Sequence, residues 1–182
     1  MTKRVAIVGF GFAGGVAAIA AHDAGARVTL LEKCAAPGGI SVCSAGGLRI
    51  ADDAGDALAD LEATNAGTSS TPELAALARG MTTLADFARE LCEPVGGKIG
   101  VKPSPANYPL PGYKTFGFAY VDALADFDAA AVYPHVRGAA EGARLFEAVR
   151  RNVVMRGIAV RTGARVERLT ARDGRIDGLR GG

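Results

Sequence analysis

The sequence predicts an α/β domain built on a parallel sheet, with a helical insertion and a small β-meander near its end. Three observations carry this. A β-branched run, Arg4-Val5-Ala6-Ile7-Val8, stops at a glycine-rich turn that opens an alanine-rich stretch. A second β-branched run, Arg27-Val28-Thr29-Leu30-Leu31, follows that stretch, and a further helix-and-strand pattern returns after residue 136. Strand, helix and strand in succession form a parallel sheet with the connecting helix packed on one face.

The first run reads as a buried parallel strand. It leads into Gly9-Phe10-Gly11-Phe12-Ala13-Gly14, a GxGxxG, and then a helix from Ala13 to Ala24 with Gly25 at its C-terminal stop. The second strand ends at Glu32. Each piece has a physical task. Gly9 permits the tight turn, Gly11 admits a pyrophosphate to the backbone, and Gly14 brings the helix close to the sheet. Free amides and the dipole at the helix start favour phosphate. Glu32, 18 residues past Gly14, stands where an acid accepts hydrogen bonds from ribose hydroxyls. A glutamate there repels a 2′-phosphate, which argues against NADP. Glycine turns also occur for packing alone; here strand, helix and acid agree on dinucleotide binding.

The turn does not separate FAD from NAD. The segment after it bears on that choice. Pro37-Gly38-Gly39-Ile40-Ser41 and Ala45-Gly46-Gly47 put two glycine pairs directly beyond the acid. An NAD-binding unit runs into another helix at this point. Small residues suit backbone laid against a large flat ligand, and a surface loop is the plainer alternative.

Together, Gly9 to Gly15, Leu31-Glu32-Lys33, Pro37-Gly38-Gly39-x-Ser41 and Ala45-Gly46-Gly47 resemble the flavoprotein family of fumarate reductases, succinate dehydrogenases and 3-ketosteroid Δ1-dehydrogenases. The resemblance implies a Rossmann-like FAD-binding domain. It places Gly9, Gly11, Ala13 and Gly14 at the pyrophosphate, and Glu32 with Lys33 at the ribose. Gly39, Ser41, Ala45, Gly46 and Gly47 fall beside the pyrophosphate and the isoalloxazine ring, and the backbone of Val166 falls at adenine. The family often carries Asn at the position of Ile40, and its covalently flavinylated members carry His there. Ile40 offers neither contact, so the expected FAD is non-covalent.

Ala51 to Asn65 reads as a helix capped by Asp52 or Asp53, with Leu58 and Leu61 on one face. Thr71-Pro72-Glu73 starts a longer helix that reaches Cys92, with Leu74, Leu77, Met81, Leu84, Phe87, Ala88 and Leu91 turned inward. From Glu93 to Val121, glycines and prolines exclude a long helix. Five of the eleven aromatics gather there: Tyr108, Tyr113, Phe116, Phe118 and Tyr120. A lid or substrate-facing hairpin over the flavin and a plain hairpin with cross-strand aromatic pairs both fit. A helix over Glu141 to Arg156 buries Leu145, Phe146, Val149 and Val153; strands over 158–161 and 164–169 follow, and Asp173-Gly174 turns into another. The expected organisation is a βαβ unit and flavin-side loop over 1–50, a helical insertion and aromatic loop over 51–135, and a return to the FAD-binding domain over 136–182.

The formal net charge is +2, too small to demand a polyanion. The basic residues are uneven: 137–182 hold 11 Lys/Arg against 5 Asp/Glu, whereas 51–128 hold 5 against 12. No aromatics interleave the basic third, so solvated faces, not nucleic acid, account for it. Cys34, Cys43 and Cys92 form no CxxC, and with only His22 and His135 no metal cluster is expected. Free thiols fit a reducing, cytoplasmic setting. The apolar stretch from Val5 to Ala21 is short and glycine-broken, so no membrane span is expected.

His22 suits a helix C-terminus, and His135 a structural place. The resemblance implies a truncated chain, ending at Gly182 where relatives continue into a substrate-capping domain and a segment that completes the flavin pocket. The expected function is the FAD-binding portion of an oxidoreductase moving hydride at a C–C bond next to a carbonyl or carboxylate of a small molecule. Its catalytic acid or base and its electron partner are unassigned. A non-catalytic nucleotide-binding module and an NAD-dependent dehydrogenase are the alternatives.

Overall fold

The computed structural model describes residues 2–138 and 140–181. Strand β1 (Arg4–Val8), helix α1 (Phe12–Asp23) and strand β2 (Arg27–Leu31) form the expected βαβ unit. β1 and β2 pair in parallel from Arg4↔Arg27 to Val8↔Leu31. Gly25, at φ +83°, ends α1 with its amide on the His22 carbonyl and the next amide on Ala21, a left-handed stop that suits glycine.

After β2 the chain bends without a long helix, making one 3-10 turn over Gly39–Cys43. A short strand that the sequence pattern hides, β3 (Leu48–Ala51), comes next. It takes Ala51 from the expected helix, so α2 spans Ala54–Thr64, capped by Asp53, whose carboxylate accepts from the Asp56 amide at 2.8 Å. Helix α3 runs Thr71–Cys92. Its cap is Ser70, one residue earlier than expected, with Glu73 reaching back to the Ser70 amide at 2.8 Å.

The inward face of α3 also differs from expectation. Leu74, Ala78, Ala88, Leu91 and Cys92 are buried, while Leu77 and Phe87 are 48% and 42% exposed. Small Ala78 and Ala88 are fully buried, while Leu77 and Phe87, each one residue earlier and so about 100° around the helix from its alanine neighbour, stay half-exposed.

Strands β4 (Gly97–Pro103) and β5 (Phe116–Leu124) pair antiparallel, and β3 adds to the other side of β5, giving the order β3-β5-β4. The aromatic segment thus forms a hairpin whose second strand is central in that sheet. Gly117, Ala119 and Val121 alternate inward along β5. A one-turn helix, α4 (Ala129–Val132), precedes α5 (Glu141–Met155) and β6 (Ala159–Arg161), which joins β2 in parallel. The parallel sheet has the order β1-β2-β6. Last come β7 (Val166–Arg172) and β8 (Arg175–Gly181), joined through Asp173 and Gly174 at φ +52° and +74°, as a tight hairpin turn requires. Among the described residues the expected meander has these two strands only.

Helix α5 ties the parts together. Leu145, Phe146, Val149 and Val153 are buried in the main core with Phe10, Ile19, Leu30, Leu91 and Val121. Asn152, 1% exposed, donates to the Leu91 carbonyl at the end of α3 at 2.6 Å. Arg151 donates to the carbonyls of Val95, Ala125 and Asp126 at the base of the β4–β5 hairpin. Glu147, buried on α5, accepts from Arg150 and Arg151. Burial pushes its carboxyl up, but the two guanidiniums outweigh that and hold it below the usual range.

Candidate cofactor-binding site

The carboxyl ends of β1 and β2 and the N-terminus of α1 converge on one edge of the parallel sheet. Gly9 leaves β1 at φ +93°, a left-handed conformation that side chains resist. Its amide donates to the Leu31 carbonyl at 2.7 Å, which locks the turn against β2. Gly14 sits where α1 crosses the turn: a Cβ there would lie 1.9 Å from the Gly9 carbonyl oxygen. The expected close approach of helix and strand is therefore real.

The first-turn amides of a helix have no partner inside it. Here the Phe12 amide donates to the Ser41 hydroxyl oxygen at 3.0 Å. Among the described residues the amides of Gly11, Ala13 and Gly14 make no hydrogen bond. Donors aligned with a helix dipole form an anion cradle.

Glu32 is buried and bound in a way that spacing does not disclose. One carboxylate oxygen accepts from the Phe10 amide and the other from the Cys34 amide, each at 2.8 Å. Burial raises its pKa, and the amide bonds more than reverse this, so the group is held below its ordinary value. A carboxylate has about four lone-pair directions, so positions remain for ribose hydroxyls. Lys33 beside it is exposed.

The loop after β2 is fastened to the same edge. The Gly38 amide donates to the Phe10 carbonyl at 2.8 Å, and Ser41 reaches α1. Gly38 has φ +113°, and a Cβ on it would strike Val42 and Phe146. Gly39 and Ile40 are exposed, Ile40 by 84%. Further on, Gly46 packs on the start of α5: a Cβ there would lie 2.4 Å from the Glu141 carbonyl carbon. Gly142 meets the loop from the other side, with Ser44 and Ser41 carbonyls against it. Ala45 and Gly47 are exposed, and Gly47 abuts the rings of Tyr120 and Phe118.

Val166 begins β7, two residues beyond Ala164, whose amide donates to the Glu32 carbonyl at 2.9 Å. Gly163 binds the Cys34 carbonyl in the same way. The proposed adenine strand thus starts beside the proposed ribose acid. Eleven of the twelve sequence-chosen residues lie along this edge and the loop after β2; Val166 begins a strand of the separate β7-β8 sheet. Sequence reasoning missed Phe10, whose amide and carbonyl both bind the loop system, and Gly142; the only signal for the latter was a glycine in the first turn of a helix.

The unpartnered amides at the start of α1 and the clamped Glu32 carboxylate fit the pyrophosphate and ribose of a dinucleotide. No long helix occupies the span after Glu32, as an NAD-type unit would require. Among the described residues no cluster of side chains could hold a metal ion. His135 is exposed and lies edge-on to Tyr133 at 6.1 Å, and His22 lies near the C-terminus of α1 against Asp23. No described helix is long and apolar enough to cross a membrane.

A family model described as an FAD binding domain matches residues 4–181. Among curated proteins no sequence match exists. Among solved structures the fold is similar to 3-ketosteroid Δ4-(5α)-dehydrogenase from Rhodococcus jostii RHA1, at 17% identity and TM-score 0.74, over 97% of this chain and 41% of that one. It is similar to 3-ketosteroid Δ1-dehydrogenase from Sterolibacterium denitrificans, at 19% identity and TM-score 0.75, over 98% and 44%. A flavocytochrome c3 fumarate reductase gives 22% identity and TM-score 0.73, over 98% and 30%. The chain therefore spans less than half the length of each.

Proposed function

Because this chain belongs to the family of FAD binding domains, we propose that it forms the cofactor-holding part of a flavin-dependent oxidoreductase acting on a small molecule, at a C–C bond next to a carbonyl or carboxylate. The observation that carries this reading is the set of free amides at Gly11, Ala13 and Gly14, bordered by the Ser41 hydroxyl and the clamped Glu32 carboxylate. Bound FAD supplies the hydride chemistry. The chain's residues bind and orient it. The amides of α1 receive the pyrophosphate, and the remaining lone pairs of Glu32 accept the ribose hydroxyls. Lys33 lends positive charge beside them. Gly39, Ser41, Ala45, Gly46 and Gly47 pass backbone along the pyrophosphate and ring, and the Val166 strand supplies a donor and an acceptor to adenine.

Ile40 carries no nucleophile, which supports non-covalent attachment. The division into 1–50, 51–135 and 136–182 is part of the same reading, as is a cytoplasmic setting. No residue is assigned to proton transfer.

The test is a flavin titration. Purified chain mixed with FAD should show saturable quenching of flavin fluorescence, weakened by Glu32→Gln, and denaturation should release all the flavin into the filtrate. A chain that binds NAD and leaves FAD fluorescence unchanged would overturn the reading.

A further inference from the structure

The loop after β2 has two supports, and the nucleotide turn is only one of them. Its first half is pinned to that turn: the Gly38 amide donates to the Phe10 carbonyl, and the Ser41 hydroxyl oxygen accepts from the Phe12 amide. Its second half, Ser44 to Gly47, is closed on itself. Ser44 donates to the Ser41 carbonyl through its amide at 3.3 Å and its hydroxyl at 2.8 Å, and the Gly46 amide donates to the Ser44 hydroxyl oxygen at 3.3 Å. These bonds shape the bend and do not tie it to the parallel sheet.

The first turn of α5 seats that second half. Gly46 is buried against the backbone of Glu141 and Gly142. Gly142, buried as well, faces back toward the loop. A Cβ on it would come 2.2 Å from the Ser44 carbonyl oxygen, 2.7 Å from the Ser44 hydroxyl oxygen and 2.9 Å from the Ser41 carbonyl oxygen. Phe146, one turn further along the same face of α5, backs the other half. A Cβ on Gly38 would lie 3.1 Å from its ring, which meets Phe10 edge-on with centroids 5.3 Å apart. One helix face thus supports the whole loop, with Phe146 behind the pyrophosphate half and Gly142 behind the ring half.

The two halves respond differently to a side chain at position 142. A tolerable C···O separation is about 3.3 Å, so a methyl there must push the Ser44 carbonyl away by roughly 1.1 Å. Ser41 is held by the Phe12 amide, so the displacement falls on Ser44 to Gly47. We infer that Gly142 is a positioning residue for the flavin ring. By admitting the loop carbonyls to the α5 backbone, it sets Ala45, Gly46 and Gly47 at the height the ring requires, without touching the cofactor itself. The inference rests on the flavin reading above. This role is separable from the packing of α5, because Asn152, which binds the Leu91 carbonyl, lies roughly 15 Å further along the helix.

The experiment compares FAD with ADP, which carries adenosine and pyrophosphate but no ring. Calorimetric titrations use purified wild type, Gly142→Ala, Ser44→Ala and Asn152→Ala. Gly142→Ala should weaken FAD binding by about tenfold or more and ADP binding by less than about twofold. Ser44→Ala loosens the same bend without adding bulk, and should lower the FAD-to-ADP affinity ratio in the same direction by less. Asn152→Ala should lower stability and leave the ratio unchanged. In the free protein, Gly142→Ala should shift the amide resonances of Ala45, Gly46 and Gly47 and leave those of Gly11, Ala13 and Gly14 in place. Equal loss of FAD and ADP in Gly142→Ala, or the same ratio change in Asn152→Ala, overturns the inference, since the residue is then merely structural. FAD bound by wild type and equally well by Gly142→Ala and Ser44→Ala overturns it too, with the flavin reading intact. Wild type that binds ADP and no FAD sinks the flavin reading and the ring role together. If Gly142→Ala fails to fold, the ratio and the amide shifts of Ser44→Ala decide.

Discussion

Replacing Gly14 by alanine tests the junction on which the cofactor cradle is built. The added Cβ would lie 1.9 Å from the Gly9 carbonyl oxygen and 3.0 Å from its carbon. Both are backbone atoms, so no rotamer change relieves the contact. A tolerable C···O separation is about 3.3 Å, so α1 must retreat by roughly 1.4 Å. Overpacking of this kind costs typically about 1–3 kcal/mol, and a backbone collision belongs at the upper end. At roughly 2–4 °C per kcal/mol for a chain of this size, the melting temperature should fall by about 6–12 °C. The same retreat carries the Ala13 and Gly14 amides out of hydrogen-bond range of a phosphate. Loss of one charge-assisted bond, about 1.5–3 kcal/mol, weakens FAD binding by at least about tenfold. Gly25→Ala is the control: Gly25 has φ +83° with nothing within 4 Å of a Cβ. It should cost about 1–2 kcal/mol of backbone strain and leave FAD affinity unchanged. Calorimetry and flavin quenching on both variants decide. A Gly14→Ala protein that melts within about 2 °C of wild type, or a Gly25→Ala protein that loses FAD equally, refutes the reasoning.

Three further outcomes are expected. The Glu32 pKa is held below its unfolded value of 4.5, so its stabilising effect is full above that value and is lost as pH falls through the folded pKa; urea midpoints of wild type should drop below about pH 5, and Glu32→Gln should flatten that drop. The Cys92 thiol is buried and pushed up to about 11, whereas Cys34 and Cys43 are exposed; a thiol-reactive dye at pH 8 should label the latter pair in the native protein and reach Cys92 only after unfolding. Asn152→Ala strips the buried Leu91 carbonyl of its 2.6 Å donor and should destabilise the chain by about 2–3 kcal/mol, read from urea denaturation.

The glycine turn and the strand, helix and acid around it were more legible in the sequence than the scaffold beyond them. Gly9, Gly14 and Gly38 announce themselves because their backbone positions exclude a side chain, and the chain spacing from Gly14 to Glu32 is set by one helix and one strand. The long helices were legible for a related reason: caps such as Asp53 and Glu73 and the stop at Gly25 act through neighbours close in sequence. What escaped depends on distant partners. β3 is four residues long and exists because β5 offers it an edge, so nothing within Leu48 to Ala51 declares a strand. On α3 the expected Leu74, Ala88 and Leu91 are buried, but the small Ala78 was passed over and Leu77 and Phe87, weighted for their size, stay half-exposed. The aromatic segment forms a hairpin without the expected cross-strand aromatic pairs: Phe118 faces Arg49 and Lys102, and Tyr120 faces Gly100.

Glu32 shows how spacing finds a residue and still misstates its work. Its distance from the glycine turn marks it as a ribose acceptor, a task that needs one or two lone pairs. In the folded chain its carboxylate first joins three segments: the strand it ends, the turn through Phe10, and the loop through Cys34. A carboxylate suits this because both oxygens accept, and a glutamine would set a donor against one of two N–H groups. The acid is therefore required before any nucleotide arrives. The proposed contribution of Glu32 to FAD affinity would share its geometry with the loop anchor, since the bonds that hold the loop also aim the remaining lone pairs. An aspartate, one methylene shorter, keeps the charge but loses the span between the two amides. Glu32→Asp should therefore weaken FAD binding nearly as much as Glu32→Gln. If flavin quenching shows Glu32→Asp binding FAD like wild type, charge alone matters at this position and the bridging role is wrong.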